Sequence, residues 1–364
     1  MSVKTRLEVD TKALAHNYQY LRAQIDPSTQ FMAVVKANAY GTDLVKFSQL
    51  LDDLGADSFC VAYVEEGLAL REAGITKPIL VLHAQLDTLE AGIAAGLDFS
   101  LYSTAFTSAL AQVAQKLKRK IEVHINLNTG LNRLGIKPKE LNETLELIEN
   151  TPELQCTWMM THLAASEDLA LRSFTLEQIA HFNEAHRLAS EYLGVPLKRH
   201  VLNSSGIHNY PQAAFECVRA GISLHGYAND PVIDKKLIPI SSLFSSISAI
   251  REIETGESVS YNRQFFAQQP MRIATVAIGH GDGIQRSLGT TNFKVMVNGQ
   301  MAPAVGMICM DLFMIDITDI AAEVGDTVLI FGPAQSAEVI STQAETIAYE
   351  LITGIGPRVP RVFL

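Results

Sequence analysis

Short apolar segments alternate with longer amphipathic ones through the first two thirds of the chain, and this alternation constrains the fold strongly. The stretches between the short segments are typical of helices, and Gly74 follows one of them, residues 64–73, as a C-cap would. Eight strand–helix units predict an α/β fold, a TIM-like (β/α)8 barrel over residues 10–230. The predicted strands are 31–36, 58–62, 78–82, 97–101, 120–127, 154–161, 199–203 and 215–220.

The pattern changes after residue 230. Residues 231–239 are typical of a linker, and the strand-like runs beyond them have no long helices between them. These runs are 272–278, 293–297, 301–305, 312–317 and 327–331. The dipeptide Asn298-Gly299 between two of them favours a type I′ hairpin turn. We therefore predict a mostly β C-terminal domain over residues 231–364.

Composition excludes several classes of function. The chain has 364 residues, of which 48% are apolar, enough for a large core. Its net charge of −10 argues against nucleic acid and anionic membrane surfaces as partners. The N-terminus has no signal-peptide core, so a cytoplasmic protein is predicted. Four widely spaced cysteines without a CxxC pair predict reduced thiols, and no metal site is predicted.

A lysine closes the first predicted barrel strand. Residues 31–35 are apolar, Lys36 follows them, and the segment 37–41 is small and turn-forming. A buried amine is costly unless it is paired, neutral or covalently modified. A desolvated lysine amine suits covalent chemistry with carbonyl compounds. A lysine that extends to the surface would fit the same residues, so this stretch alone leaves both interpretations open.

Motifs around this lysine and in nine further segments follow one another along nearly the whole chain. They are VVKANAYG (34–41), EEGLALREAGITKPILVL (65–82), NTGLNRLG (128–135), MMTHLA (159–164), NSS (203–205), VRAGISLHG (218–226), ESVSYNRQF (257–265), GHGDG (279–283), VGMICMD (305–311) and RVPRVF (358–363). Together they resemble the motifs of the alanine racemase family. The resemblance implies interconversion of L- and D-alanine with pyridoxal 5'-phosphate (PLP), which supplies D-alanine for peptidoglycan. It also implies that residues 1–9 form a strand of the β domain.

The barrel prediction and the resemblance agree on one face of the molecule. In such barrels the active-site residues lie at the C-terminal ends of the strands, and a phosphate site often follows strands 7 and 8. The residues that match family motifs fall at these ends: Lys36, Arg133, His162, Ser204, Arg219, Gly221 and Ile222.

The resemblance implies a role for each catalytic residue. Lys36 would bind PLP covalently and move a proton on one face of the substrate Cα, while Tyr261 would act on the opposite face. In the family this tyrosine comes from the partner subunit, so a homodimer with shared active sites is implied. Arg219 would face the pyridine nitrogen and, because a guanidinium keeps its protons, would leave that nitrogen unprotonated.

Phosphate and carboxylate contacts are implied in the same way. Hydroxyl groups and exposed amides would hold the cofactor phosphate: Ser204, Tyr40, Gly221 and Ile222. Arg133 and the backbone amide of Met310 would bind the substrate carboxylate. Ser204 could instead form a turn after Asn203. His162 would orient Arg219, stack near the cofactor, or serve only as a structural barrel histidine.

Four positions depart from the family pattern. Asn126 stands where many members have a carbamylated lysine that supports Arg133, and an asparagine cannot be carbamylated. We predict that a small anion, chloride, lies between Asn126 and Arg133. Tyrosines common in the family are replaced by Pro357, His225 and His280, which predicts that serine is turned over measurably while alanine remains the best substrate.

Three alternatives remain open at the level of sequence. One is a racemase for serine or for several amino acids. Another is a decarboxylase of basic amino acids on a related fold, although the chain has no Cys-Glu-Ser-Gly-like segment. The third is a non-catalytic PLP-binding barrel protein, which would leave the second domain and Tyr261 without a purpose.

Overall fold

The computed structural model describes residues 4–228, 230 and 232–364 of the chain. These residues form two compact units. One unit comprises Ala15–Ala39 and Leu44–Ile238, and the other comprises the described residues up to Leu14 together with Tyr40–Asp43 and Pro239–Leu364. The first strand of the chain, β1 (Arg6–Val9), belongs to the second of these units.

A closed barrel of eight parallel strands forms the first unit, and it confirms the predicted fold class. The strands are β2 (Gln30–Val34), β3 (Ser58–Val61), β4 (Ile79–Val81), β5 (Asp98–Leu101), β6 (Ile121–Asn126), β7 (Leu154–Met160), β8 (Lys198–His200) and β9 (Cys217–Ala220). They pair in chain order, and β2 closes the ring on β9 with Phe31 opposite Val218. Parallel strands are buried on both faces, which explains their continuous apolar runs.

Helices follow the barrel strands as the alternation predicts. The α-helices of the described chain are Thr11–Arg22, Leu44–Leu54, Val64–Glu72, Leu89–Ala94, Thr104–Leu117, Leu141–Glu149, Arg172–Leu193, Ser204–Asn209, Ala337–Gln343 and Ala348–Thr353. None of the described helices is long and apolar enough to cross a membrane. All four cysteines are free, and burial raises the pKa of Cys60, Cys156 and Cys217 to about 12.

A mostly β sheet structure forms the second unit, as predicted. Its strands after the barrel are β10 (Ser241–Ile253), β11 (Ser258–Val259), β12 (Phe265–Phe266), β13 (Met271–Val276), β14 (Lys294–Val297), β15 (Gln300–Pro303), β16 (Phe313–Asp316), β17 (Thr327–Phe331) and β18 (Arg361–Phe363). Eight strands make one sheet in the order β15-β14-β17-β10-β1-β18, with β13 on β10 and β16 on β13. The small pair β11–β12 stands apart from it.

The N-terminal strand and one hairpin follow the predictions closely. β1 pairs antiparallel with β10, where Leu7 lies opposite Leu243, and parallel with β18. Asn298 and Gly299 both have positive φ, 48° and 78°, and connect β14 to β15 as a primed turn requires. The predicted linker, residues 231–239, is not entirely irregular, since Asp234–Lys236 form a 3-10 helix. Its first residue, Pro231, lies outside the described residues.

Candidate active site

The backbone after β2 adopts the left-handed helical conformation, which is unfavourable for L-residues. Lys36 lies two residues beyond the strand, and the next four residues, Ala37 to Tyr40, all have φ between 49° and 54°. This is one turn of left-handed helix without a glycine. Such a conformation costs roughly 1–2 kcal/mol per residue. A strained conformation of this kind persists only where surrounding contacts enforce it, and such conformations are most common at functional sites.

Two hydrogen bonds from within the segment hold this turn. The Ala39 N–H donates to the carbonyl of Val35 over 2.9 Å. The side chain of Asn38 accepts from the Leu44 N–H over 2.9 Å, which ties the turn to the start of the helix Leu44–Leu54. The turn is therefore fastened at both ends, with Lys36 at its beginning.

A third bond comes from a glutamate that is not among the site residues predicted from the sequence. Glu66 Oε1 accepts from the Ala37 N–H over 2.6 Å. Its other oxygen, Oε2, accepts from Ala62 over 2.8 Å and from Tyr63 over 3.3 Å. One carboxylate thus joins the loop after β2 to the loop after β3.

Arg219 is a buried cation whose hydrogen-bond partners are all neutral. It lies in β9 with 4% of its surface exposed. One terminal nitrogen donates to His200 Nδ1 over 2.8 Å and to the His200 carbonyl over 2.6 Å. The other donates to the carbonyls of Thr161 and Val201 and contacts His162 Nδ1 at 3.4 Å. Burial lowers the pKa of Arg219, and its hydrogen bonds to described residues all come from the two terminal nitrogens and none from Nε.

The contacts of Arg219 determine the tautomers of two further histidines. Because Arg219 can only donate, His200 Nδ1 accepts and the proton of this ring is on Nε2. Nε2 then donates to His124 Nδ1 over 2.8 Å. Burial lowers the pKa of His124 to about 3 and the pKa of His200 well below its ordinary value, and Arg219 adds to both effects. Both rings are neutral at pH 7. Neither His124 nor His200 is among the site residues predicted from the sequence.

Three of the predicted cations act on one imidazole. Burial lowers the pKa of His162 to about 3, and the positive charges of Arg219, Arg133 and Lys36 lower it further. These residues come from three different strand ends, and the closed barrel brings their charges to one imidazole. Neither the Lys36 amine nor the exposed Arg133 guanidinium makes a hydrogen bond or ion pair with any described residue.

The loop that contains Arg133 returns to the end of β6. Asn126 is buried there, and its carbonyl accepts from the Ile136 N–H over 2.7 Å. Gly135 has φ 115°, and a Cβ there would lie 2.8 Å from the Asn128 nitrogen, so only glycine fits. The loop is therefore closed at its base, and no described group hydrogen-bonds to the side-chain amide of Asn126.

Two short helices begin at the same place after β8 and β9. Ser204 is the first residue of the helix Ser204–Asn209, and Ile222 begins the 3-10 helix Ile222–His225. The buried Ser204 Oγ accepts from Gly221 N–H over 3.0 Å and from Ser223 N–H over 3.4 Å. First-turn amides have no intrahelical acceptor; Ser204 Oγ takes two of them here, which leaves the Ile222 N–H without an acceptor among the described residues and the Ser204 hydroxyl proton to donate.

In the other unit, Tyr261 lies on an irregular turn between β11 and β12. Its neighbours Ser260, Asn262 and Arg263 all have positive φ, and Tyr261 itself is 63% exposed. Ser260 Oγ donates to the Met307 carbonyl over 2.8 Å, which anchors the turn. The phenol makes no hydrogen bond with any residue that the structure describes.

Met310 lies on a neighbouring loop of the same unit and is 60% exposed. Its carbonyl accepts from the Gly281 N–H over 2.8 Å, while its own N–H has no acceptor in the described parts of the chain. Arg358 braces this loop through Asp282 at 3.0 Å and Asp311 at 2.8 Å.

Tyr40 also belongs to this unit. It is nearly buried, and the centroid of its ring lies 6.1 Å from that of Tyr349.

Three residues replace tyrosines that are common in the family, namely Pro357, His225 and His280, and their surroundings differ. His225 is 1% exposed and stacks on Phe47, with ring centroids 4.7 Å apart and planes 7° apart. Burial lowers its pKa to about 3. His225 therefore has a packing role within the barrel unit. Pro357 and His280 are exposed on the other unit.

Comparison with known proteins identifies the family. The proteins to which this barrel and its mostly β unit are similar are amino-acid racemases. The family models for the N-terminal and C-terminal domains of alanine racemase match residues 9–229 and 240–363. The chain belongs to the alanine racemase family, and it is an enzyme that racemises alanine.

Individual relatives cover nearly the whole chain. An alanine racemase of Methanococcus maripaludis is 33% identical over 98% of this chain and 98% of its own. Alanine racemase 2 of Caldanaerobacter subterraneus is 32% identical over 99% and 95%. Among solved structures, alanine racemase from Streptomyces lavendulae superposes with a TM-score of 0.95 at 30% identity and covers 100% of this chain and 98% of its own. Alanine racemase from Bacillus anthracis with bound L-Ala-P gives 0.93 at 32%, over 100% and 96%.

Proposed function

We propose that this chain racemises alanine with PLP as its cofactor and with Lys36 and Tyr261 as the two proton carriers. The observation that supports this most directly is the group of cations around His162: Lys36, Arg133 and Arg219. A lysine and two arginines that form no ion pair with a described carboxylate suit the binding of an anionic molecule that a lysine can bind covalently. In the cell the product would supply D-alanine for peptidoglycan, and the cytoplasmic location stays a prediction.

The described residues offer hydrogen-bond donors that fit the phosphate and the pyridine nitrogen of PLP. A phosphate suits the donor-rich corner at Ser204, Gly221 and Ile222, after the seventh and eighth barrel strands, where such barrels often bind phosphate. Tyr40 would add a hydroxyl. The Nε–H of Arg219 is the donor that remains for an electron-rich ring nitrogen. His162 would keep Arg219 in place through Nδ1.

Racemisation requires that a proton leave one face of Cα and arrive at the other. PLP, when bound, supplies an electron sink for the carbanion at Cα. Lys36 Nζ would take or deliver the proton on one face, and Tyr261 Oη would do so on the opposite face. Arg133 and the Met310 N–H would bind the substrate carboxylate and so fix the orientation of Cα between the two.

Tyr261 supports a shared active site in a homodimer. Its side chain is largely exposed and makes no hydrogen bond among the described residues. Further apolar side chains of the same unit, Phe266, Met310 and Leu312, are exposed as well. We infer that a second copy of the chain covers this surface and receives Tyr261 into its barrel site.

Two substitutions test the proposed roles of the two proton carriers. Lys36→Ala should abolish both racemisation and the visible absorbance of lysine-bound PLP. Tyr261→Phe should keep that absorbance and lose most activity in at least one direction, because one face of Cα lacks its proton carrier; a loss of about 10²–10⁴-fold is expected. Both directions are measured from L- and from D-alanine.

Tyr192→Phe is the matched control, since Tyr192 is an exposed tyrosine on the helix Arg172–Leu193. It should leave both readouts unchanged. Near-normal rates of Tyr261→Phe in both directions would refute the assignment of Tyr261.

A further inference from the structure

The Glu66 carboxylate joins two loops of the barrel. It is the third residue of the helix Val64–Glu72, a position from which an acidic side chain commonly accepts a hydrogen bond from its own helix start. Oε2 does this for Ala62 and Tyr63. Oε1 instead accepts from Ala37, which is 29 residues away in sequence, over 2.6 Å.

The Ala37 N–H belongs to the strained turn that follows Lys36. Ala37 is the first of four consecutive left-handed residues, and it is exposed. Water could accept from this N–H, but water would not determine the direction of the peptide. A carboxylate fixed on a neighbouring helix determines it, and bonds to a charged acceptor are stronger than neutral ones. The direction of this peptide decides where the preceding residue places its side chain.

We propose that Glu66 is a positioning residue for Lys36. It acts through the Ala37 backbone and stabilises the left-handed turn in the conformation that presents the lysine amine. The inference rests on the proposed role of Lys36, although the backbone link itself can be measured without it.

Two conservative variants break this link in different ways. Glu66→Gln has one acceptor oxygen in place of two, so it cannot serve both loops. Glu66→Asp keeps the charge and can still cap its own helix, but its carboxylate is one methylene short of Ala37. If both variants show the same effect, neither the loss of charge nor the shorter side chain explains it by itself, and the lost bond to Ala37 does.

Asp57→Asn is the matched control. Asp57 accepts from the Phe31 N–H over 2.7 Å at the opposite end of the same strand, β2. This substitution weakens a carboxylate–backbone bond of the same kind, but it lies away from the turn. Glu65→Gln, at the exposed neighbouring position, controls for charge.

The experiment measures hydrogen exchange over residues 36–44 in the protein freed of PLP, the recovery of visible absorbance when PLP is added, and kcat and KM for alanine. In both Glu66 variants we expect amides 37–40 to exchange at least about 10-fold faster, slower recovery of absorbance, and kcat lower by about 10–100-fold with KM changed far less. Asp57→Asn and Glu65→Gln should match the wild type in all three.

The outcomes separate this inference from the proposed function. Wild-type exchange over residues 37–40 in both Glu66 variants would overturn it, and so would an equal change in Asp57→Asn. Failure of both Glu66 variants to fold would also overturn it, because Glu66 would then be required for the fold itself. If exchange rises while Lys36→Ala retains activity, the link exists and the proposed role of Lys36 is wrong.

Discussion

Arg219 and Arg133 lie in the barrel unit, and neither forms an ion pair among the described residues. Arg219 compensates through carbonyls and neutral imidazoles, which is costly but satisfies its two terminal nitrogens. Arg133 has no such partner. At the scale of single residues, the barrel site therefore contains two arginines that no described carboxylate neutralises through an ion pair.

Asn126 and Arg133 should bind a small anion for this reason. The buried side-chain amide of Asn126 has N–H donors free of described partners, and the loop that contains Arg133 is bonded back to the Asn126 carbonyl through the Ile136 N–H. We expect activity to depend on chloride and to be indifferent to bicarbonate. Crystals grown with bromide should show anomalous density between the two residues.

Asn126→Lys is the matched comparison, because a lysine there can be carbamylated. That variant should gain a response to bicarbonate and lose its dependence on chloride. Water alone in the bromide crystals of the wild type would contradict the anion prediction.

At the scale of elements, the left-handed turn after β2 is the least expected feature of the chain. Four residues with Cβ atoms adopt a conformation that glycine adopts without penalty. The neighbouring Gly41, φ 85°, is different, since a Cβ there would lie 2.3 Å from the Ile352 carbonyl oxygen. The turn at 37–40 is therefore strained because none of its residues is glycine. Position 41 must be glycine because any side chain there would collide with the Ile352 carbonyl.

Ala37→Gly should raise the free energy of unfolding. Glycine removes roughly 1–2 kcal/mol of left-handed strain and loses about 0.5–1 kcal/mol through its freer unfolded chain. The net gain should be about 0.5–1 kcal/mol, measured by urea unfolding of the protein without cofactor.

The control is Ala91→Gly, at an exposed position of the right-handed helix Leu89–Ala94. It should lower the free energy of unfolding by about 1 kcal/mol. Equal destabilisation by the two substitutions would show that the turn is not strained.

At the scale of the whole molecule, the chain exposes one of its two proposed proton carriers. Tyr261 is 63% exposed on the C-terminal unit, and its turn is fixed by Ser260 and Gly306 rather than by contacts of the phenol. An irregular turn that is anchored through Ser260 and exposes a tyrosine is suited to insertion into a second subunit.

Inactive variants should therefore complement each other. Mixed and allowed to exchange subunits, Lys36→Ala and Tyr261→Phe should regain up to a quarter of wild-type activity per total site, since about half of the dimers are mixed and each has one intact site. Light scattering would establish the dimer, and a tagged chain would verify exchange. No recovered activity after verified exchange would mean that each site is built from one chain.

The sequence by itself determined the barrel strands, the hairpin and the order of the site residues. Strands buried on both faces must be apolar throughout, so hydrophobic pattern located all eight within a few residues of their observed bounds. The Asn298-Gly299 turn could also be predicted from local sequence, because positive φ at two successive residues strongly restricts which residues can occur there. The motif residues were located by resemblance, and the barrel topology explains why those that follow barrel strands, such as Lys36 and Ser204, lie at the same end of the barrel.

Only the tertiary structure decided the features that join distant segments. The 13-residue strand β10 was missed because small serines, Ser241 and Ser245 among them, are buried in it by pairing with other strands. The bond between His124 and His200 spans 76 residues, and the bond between Ala37 and Glu66 spans 29. A histidine or glutamate has the same local pattern whether or not such a partner exists. These contacts arise when the barrel closes, because closure places separate strand ends side by side.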